Sequence, residues 1–164
     1  MNIEWHVLYV QPRFERYVAQ QLWRQGIQTF VPMTRIQRGD SAIKVPLFSG
    51  YLFCGVSSHR SLPTFLEPGT LEVLDCDEQV IARDIENLKR LENSGLLYSP
   101  SPYLEGESTA IAAEGPLVGM EGFMLADDRF VIPVRSFLRS VVVTAGPTCR
   151  FVSLDPSCKA DPAA

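Results

Sequence analysis

The chain predicts an α+β protein in two parts: an N-terminal antiparallel sheet flanked by helices, joined by a linker to a small C-terminal β-barrel. Three observations predict it. Strand-like and helix-like periodicities alternate through the first 95 residues. Beyond residue 105, short β-rich runs follow one another closely with turn residues between them, the spacing of a small barrel. Between the two, Leu96 to Gly106 holds Pro100 and Pro102 and has no periodicity, so it reads as a linker. The divisions are 1–95 for the α/β domain, 96–104 for the linker, 105–154 for the barrel and 155–164 for a disordered tail.

Taken in order, Trp5 to Val10 is β-branched and aromatic, a first strand. Pro12 sits where a helix often begins, and Phe14, Val18 and Leu22 recur every four residues as the core stripe of a helix over 13–25. Gly26 is its natural stop. Ile27 to Pro32 reads as a second strand, Arg38-Gly39-Asp40-Ser41 as a hairpin tip, and Leu47 to Val56 as a long aromatic strand. Ser57 to Pro68 is loop, and Leu71 to Leu74 an edge strand. Ile85, Leu88 and Leu91 mark a helix over 82–93 that ends before Gly95. The barrel strands are 108–113, 120–126, 129–134, 139–144 and 149–152. Val131-Ile132 and Val141-Val142-Val143 favour β strongly, so a stable barrel is expected.

Composition excludes several classes. An apolar fraction of 46% and a charged fraction of 21% are those of a folded globular chain. A net charge of −4 argues against a surface that coats nucleic acid throughout. It leaves room for a local basic face. Residues 13–44 hold Arg13, Arg16, Arg24, Arg35, Arg38 and Lys44 against only Glu15 and Asp40. After Leu96 the balance reverses, to five basic and eight acidic residues. Cys54, Cys76, Cys149 and Cys158 include no C-x-x-C pair, and with only His6 and His59 no standard zinc spacing can be assembled. The first residues lack a basic and an apolar signal region, and no apolar run is long enough to span a bilayer. A reduced cytoplasmic compartment is expected, with no membrane partner, metal or cofactor.

No catalytic constellation is present, so the chain reads as a non-enzyme. There is no G-x-S-x-G elbow, and the glycines at 115–122 lack the Gly-Lys-Ser/Thr ending of a phosphate loop. Two other motifs stand out. In Val45-Pro46-Leu47-Phe48-Ser49-Gly50-Tyr51-Leu52-Phe53, alternation puts Tyr51 and Phe53 on one face and Leu52 and Cys54 on the other. Either both faces are core, or one is core and the other offers rings to a partner. Further on, Glu114-Gly115-Pro116-Leu117-Val118-Gly119-Met120-Glu121-Gly122 sets three glycines around a Gly-Pro step, a tight turn between strands.

That turn resembles the KOW motif, which nucleates a small barrel in ribosomal proteins and transcription elongation factors. Trp5-His6-Val7-Leu8-Tyr9, Pro12 to Ala19, Phe30-Val31-Pro32 and Pro46 to Phe53 resemble the N-terminal domain of NusG/RfaH-type transcription factors, and the KOW-like stretch lies where that family has it. The family usually has tyrosine after the first tryptophan and proline before Gly-Tyr. His6 and Ser49 stand there instead, which points to a specialised, RfaH-like paralogue.

The resemblance implies a transcription elongation factor that binds RNA polymerase across its clamp and modulates pausing, termination or antitermination. In that family an aromatic patch grips the clamp helices of the largest subunit. The matching positions are Phe48, Tyr51 and Phe53 with Tyr9 beside them, and this requires those rings to stay uncovered. A loop touching the opposite pincer corresponds to His59, Arg60 and Ser61. Arg13 and Arg16 stand where relatives face the non-template DNA strand, or are ordinary surface charges. In the barrel, Leu117, Phe137 and Arg139 match the surface that binds ribosomal protein NusE or the termination factor Rho, unless Phe137 points inward. The alternative is a KOW-type RNA- or ribosome-binding protein acting in translation, against which the acidic C-terminal part counts.

Overall fold

The computed structural model describes residues 2–57, 69–106, 108–126 and 128–154. The chain divides into two compact units: Met1–Lys89 with Arg135–Phe137, and Arg90–Val134 with Leu138–Ala164.

The first unit is built on an antiparallel sheet. Strand β1 (Ile3–Val10) is followed by helix α1 (Glu15–Arg24), β2 (Gln28–Phe30), the hairpin β3 (Met33–Arg38) and β4 (Ser41–Pro46), β5 (Tyr51–Ser57), β6 (Thr70–Leu74) and helix α2 (Glu78–Glu92). The sheet order is β2-β5-β1-β6, while β3 and β4 pair only with each other. The period of two along β1 and β5 sends Leu8, Val10, Leu52 and Cys54 to one face, where Val18 and Leu22 of α1 and Ile27 complete a buried cluster. Helix α1 ends in a Schellman arrangement. Ile27 N–H donates to the Leu22 carbonyl at 3.0 Å, Gly26 N–H to that of Trp23 at 2.9 Å, and Gly26 takes φ 80°. The expected core stripe is corrected at Phe14, which precedes the helix and is 38% exposed, its ring resting over Gly69.

Helix α2 starts earlier than its apolar spacing suggests because Asp77 caps it. The Asp77 carboxylate accepts hydrogen bonds from Gln79 N–H at 2.8 Å and Val80 N–H at 3.3 Å. Ile81, Ile85 and Leu88 are buried along one face.

The second unit is a six-stranded sheet in the order β12-β8-β9-β10-β11-β7, formed by β7 (Leu97–Pro102), β8 (Thr109–Glu114), β9 (Glu121–Ala126), β10 (Arg129–Val134), β11 (Arg139–Thr144) and β12 (Arg150–Ser153). The pairings run in an open line; among the described residues none joins β12 to β7 to close a barrel. The stretch read as a linker carries β7, paired with β11 from Leu97↔Thr144 to Pro102↔Arg139. Pro100 and Pro102 are compatible with a strand here because β7 is an edge, where a missing N–H breaks no second ladder.

Ala110, Ala112, Leu117, Met120, Phe130, Ile132, Val141 and Val143 are buried in this unit, and Phe130 stacks on Phe151 with centroids 4.4 Å apart. The 115–119 turn takes φ 101° at Gly115 and 87° at Gly119, and Gly119 N–H returns to the Ala112 carbonyl at 2.7 Å. The Arg90 guanidinium donates to the carbonyls of Pro116 at 3.2 Å and Val118 at 2.8 Å, fixing the turn from outside.

Candidate functional site

The second face of the β1–β5 pair carries the rings. Register sets Tyr9 opposite Tyr51 and Val7 opposite Phe53, and Phe30 of β2 lies opposite Phe53. The Tyr9 and Tyr51 centroids are 5.3 Å apart, and Phe30 stacks on Phe53 at 5.9 Å. These spacings are those of attractive aromatic pairs. Lys89 of α2 extends the cluster, its ammonium 5.3 Å from the Phe30 ring and 5.7 Å from that of Trp5.

Placement of Tyr51 depends on the turn before it. Gly50 has φ 92°, and a Cβ there would meet the Tyr9 ring and the Val10 carbonyl, each at 3.1 Å. Val10 N–H donates to the Gly50 carbonyl at 2.7 Å, and Gly50 N–H donates to the Glu15 carboxylate at 2.7 Å. Glu15 is buried in the first turn of α1, where the helix N-terminus favours a negative charge. One carboxylate thus couples the start of α1 to the entry of β5.

The expectation that these rings stay uncovered is corrected. Phe53 is 0% and Phe48 4% exposed, while Tyr9 and Tyr51 are half-buried. The cover is Phe137, itself 6% exposed. Its ring lies parallel to that of Tyr51 at 4.5 Å and 10°, meets Phe48 edge-on at 5.0 Å, and is 5.8 Å from Phe53. The Asp84 carboxylate accepts the Ser136 N–H at 2.8 Å and so anchors the segment. Burial pushes the Asp84 carboxyl above its ordinary range; hydrogen bonds from Ser136 and Arg135 and the Arg135 charge oppose that rise. On the opposite face of the sheet, burial raises the Cys54 thiol to about 12, so it is an inert core residue.

The structure therefore brings Tyr9, Phe48, Tyr51 and Phe53 together, with Phe137 added. Arg13 and Arg16 are exposed at the start of α1; Arg13 holds φ 77°, and Arg16 donates to the Lys44 carbonyl at 2.7 Å. His59, Arg60 and Ser61 lie outside the described residues. The expected surface of Leu117, Phe137 and Arg139 is corrected. Leu117 is fully buried and Phe137 is packed on β5, which leaves Arg139 exposed. Sequence reasoning missed Glu15, Phe30 and Asp84. An acid three residues after Ile81 on the apolar stripe of α2 was the available signal for Asp84.

Residues 3–69 match the family model described as transcription termination factor nusG. Over these residues the chain is similar to that family. The match spans β1 to β5, so every ring of the cluster except Phe137 lies within it. The family is one of transcription factors. Among solved structures, one described as "Domain interaction in Thermotoga maritima NusG" aligns with 92% of this chain and 97% of its own, at 16% identity and a TM-score of 0.45. No curated protein sequence matches the chain. Among the described residues, no helix is long and apolar enough to cross a membrane, and no group of acidic, histidine and cysteine side chains could hold a metal ion.

Proposed function

We propose that the chain binds transcribing RNA polymerase through the rings of β1 and β5, at the clamp helices of the largest subunit, and thereby modulates pausing, termination or antitermination. The observation that carries this reading is the ring cluster itself, assembled inside the NusG-type domain around the pinned Gly50 turn. Aromatic anchors supply large contact area at low entropic cost, as a clamp contact requires. Differential affinity for one clamp state would shift the polymerase between paused and elongating populations.

In the arrangement described, the site is shut by Phe137. Polymerase and Phe137 compete for the same ring faces, so binding requires Arg135–Phe137 to leave β5. The second unit reads as a KOW-type module that recruits a further protein such as NusE or Rho. Its meander β8 to β11 and glycine turn support that, and Arg139 is the exposed candidate for the contact.

A transcription assay with purified polymerase, with and without Rho, tests the proposal. The chain should change pause lifetimes or read-through, and Tyr51→Ala should lose that effect while remaining folded. An unchanged transcript pattern under every condition would refute it.

A further inference from the structure

We infer that the outer face of strands β12, β8, β9 and β10 in the second unit is a self-association surface, covered by a second copy of this chain packed on it face to face. The period of two along these strands sends Ala110, Ala112, Phe130 and Ile132 into the core of the unit. It sends Ile111, Phe123, Val131 and Val152 to the other side, where Val152 stands opposite Ile111 and Phe123 opposite Val131. Leu154 joins that side: its N–H donates to the Thr109 carbonyl at 2.8 Å, and Thr109 stands opposite Phe123. Leu125 extends the strip two residues beyond Phe123. Leu125 is 54%, Leu154 47% and Val152 43% exposed, with Ile111 and Phe123 half-buried between them. Soluble chains seldom leave so many neighbouring apolar side chains in water unless a partner covers them.

The charges at the ends of the strip identify the partner. Glu121 stands at one end, opposite Ile111, and Arg129 at the other, on the same side of β10 as Val131. Both are exposed, and neither side chain has a hydrogen-bond or ion-pair partner among the described residues. The neighbouring charges of Arg150 and Glu114 already meet each other at 3.8 Å. Glu121 and Arg129 lie two residues to either side of the Phe123–Val131 pair, about 13 Å apart along the strands. An acid and a base set symmetrically about an apolar centre make a patch complementary to itself.

A two-fold axis running across the strands at the level of Phe123 turns a second sheet over onto the first, its strands antiparallel. Glu121 of each copy then meets Arg129 of the other, while Phe123 and Leu154 meet their own counterparts. Sheets stacked in this way lie about 10 Å apart with their side chains interdigitated. A partner of different sequence would require no such symmetry. The inference stands apart from the polymerase reading, since it uses neither the β5 rings nor the 115–119 turn.

Sedimentation equilibrium of the full chain over a concentration series tests this. Wild type should pass from monomer to dimer with a dissociation constant on the order of tens of micromolar, as a small patch gives. Glu121→Arg and Arg129→Glu each set like charges against one another on both sides of the axis and should weaken self-association by about tenfold. An equimolar mixture of the two variants should pair as well as wild type, because every contact then joins opposite charges again. Leu125→Asp should weaken the dimer by a similar factor, about tenfold, with no compensating mixture. All three positions are exposed, so unchanged urea midpoints assign the losses to the interface. A chain that stays monomeric at about ten times the expected dissociation constant leaves the strip to a different protein and overturns the inference. Charge variants that associate as tightly as wild type, or a mixture no tighter than either variant alone, would overturn it equally.

Discussion

The rings in and just before β5 and the rings of α1 belong to the same unit and end in opposite surroundings. Phe53 and Phe48 are 0% and 4% exposed, whereas Trp23 and Tyr17 are 70% and 45%. Hydrophobicity does not separate the two sets. What separates them is a cover within the chain: Phe137 lies over the first set, whereas Tyr17 meets Phe14 edge-on at 6.0 Å and no ring contact meets Trp23 among the described residues. Rings covered by a short, anchored segment are core contacts, while rings on the outer face of a basic helix meet water. The two sets of rings should therefore differ in stability cost, in accessibility and in response to removal of the cover.

The largest contrast is in stability. Phe53→Ala should lower unfolding free energy by about 3–5 kcal/mol through the cavity it leaves, while Trp23→Ala should change it by less than about 0.5 kcal/mol. Urea midpoints measure both, and similar losses would break the comparison. Next, Glu15→Ala leaves the buried Gly50 N–H without its acceptor and should cost about 1–3 kcal/mol. Its near-ultraviolet circular dichroism should also show the tyrosines displaced; a signal identical to wild type would mean the turn is held by the Val10–Gly50 bond alone.

A smaller effect concerns reactivity. With its thiol pushed up to about 12 by burial, Cys54 should resist alkylation at pH 8 in the native state and react once urea unfolds the domain. Peptide mapping after a timed pulse reads it directly, and native labelling of Cys54 as fast as that of half-buried Cys149 would show that this side of the sheet opens readily. The smallest effect is at Asp84. Its carboxyl is raised above the ordinary value, so its contribution to folding is fully present below that value and declines as pH rises through the shifted one. Asp84→Asn carries no charge to desolvate. Its urea midpoint relative to wild type should rise with pH through the carboxylate range and then level; a flat difference would remove burial as the cause.

Much of the architecture was legible because periodicity and punctuation agree locally. Val18 and Leu22 with Gly26 delimit α1, and the valines at 131 and 141–143 fall within β10 and β11. Strand β7 was hidden because two prolines erase the usual strand signal, and only its place at a sheet edge makes them compatible. The ring positions were legible as residues on a strand face, but their cover was not. Phe137 stands far along the chain from Tyr51, and nothing in local spacing reports that pairing. Glu15 was equally silent and Asp84 showed only as an acid on an apolar stripe, since a buried acid acquires its role from backbone N–H groups that arrive from elsewhere in the chain.

The most direct measurement is the affinity of purified RNA polymerase for four forms of the chain: wild type, Phe137→Ala, Tyr51→Ala and the double variant. If the β5 rings are the polymerase site and Phe137 is its cover, Phe137→Ala should bind more tightly than wild type, and adding Tyr51→Ala should bring affinity below wild type. Equal affinities for wild type and Phe137→Ala, with Tyr51→Ala without effect in either background, would contradict the account.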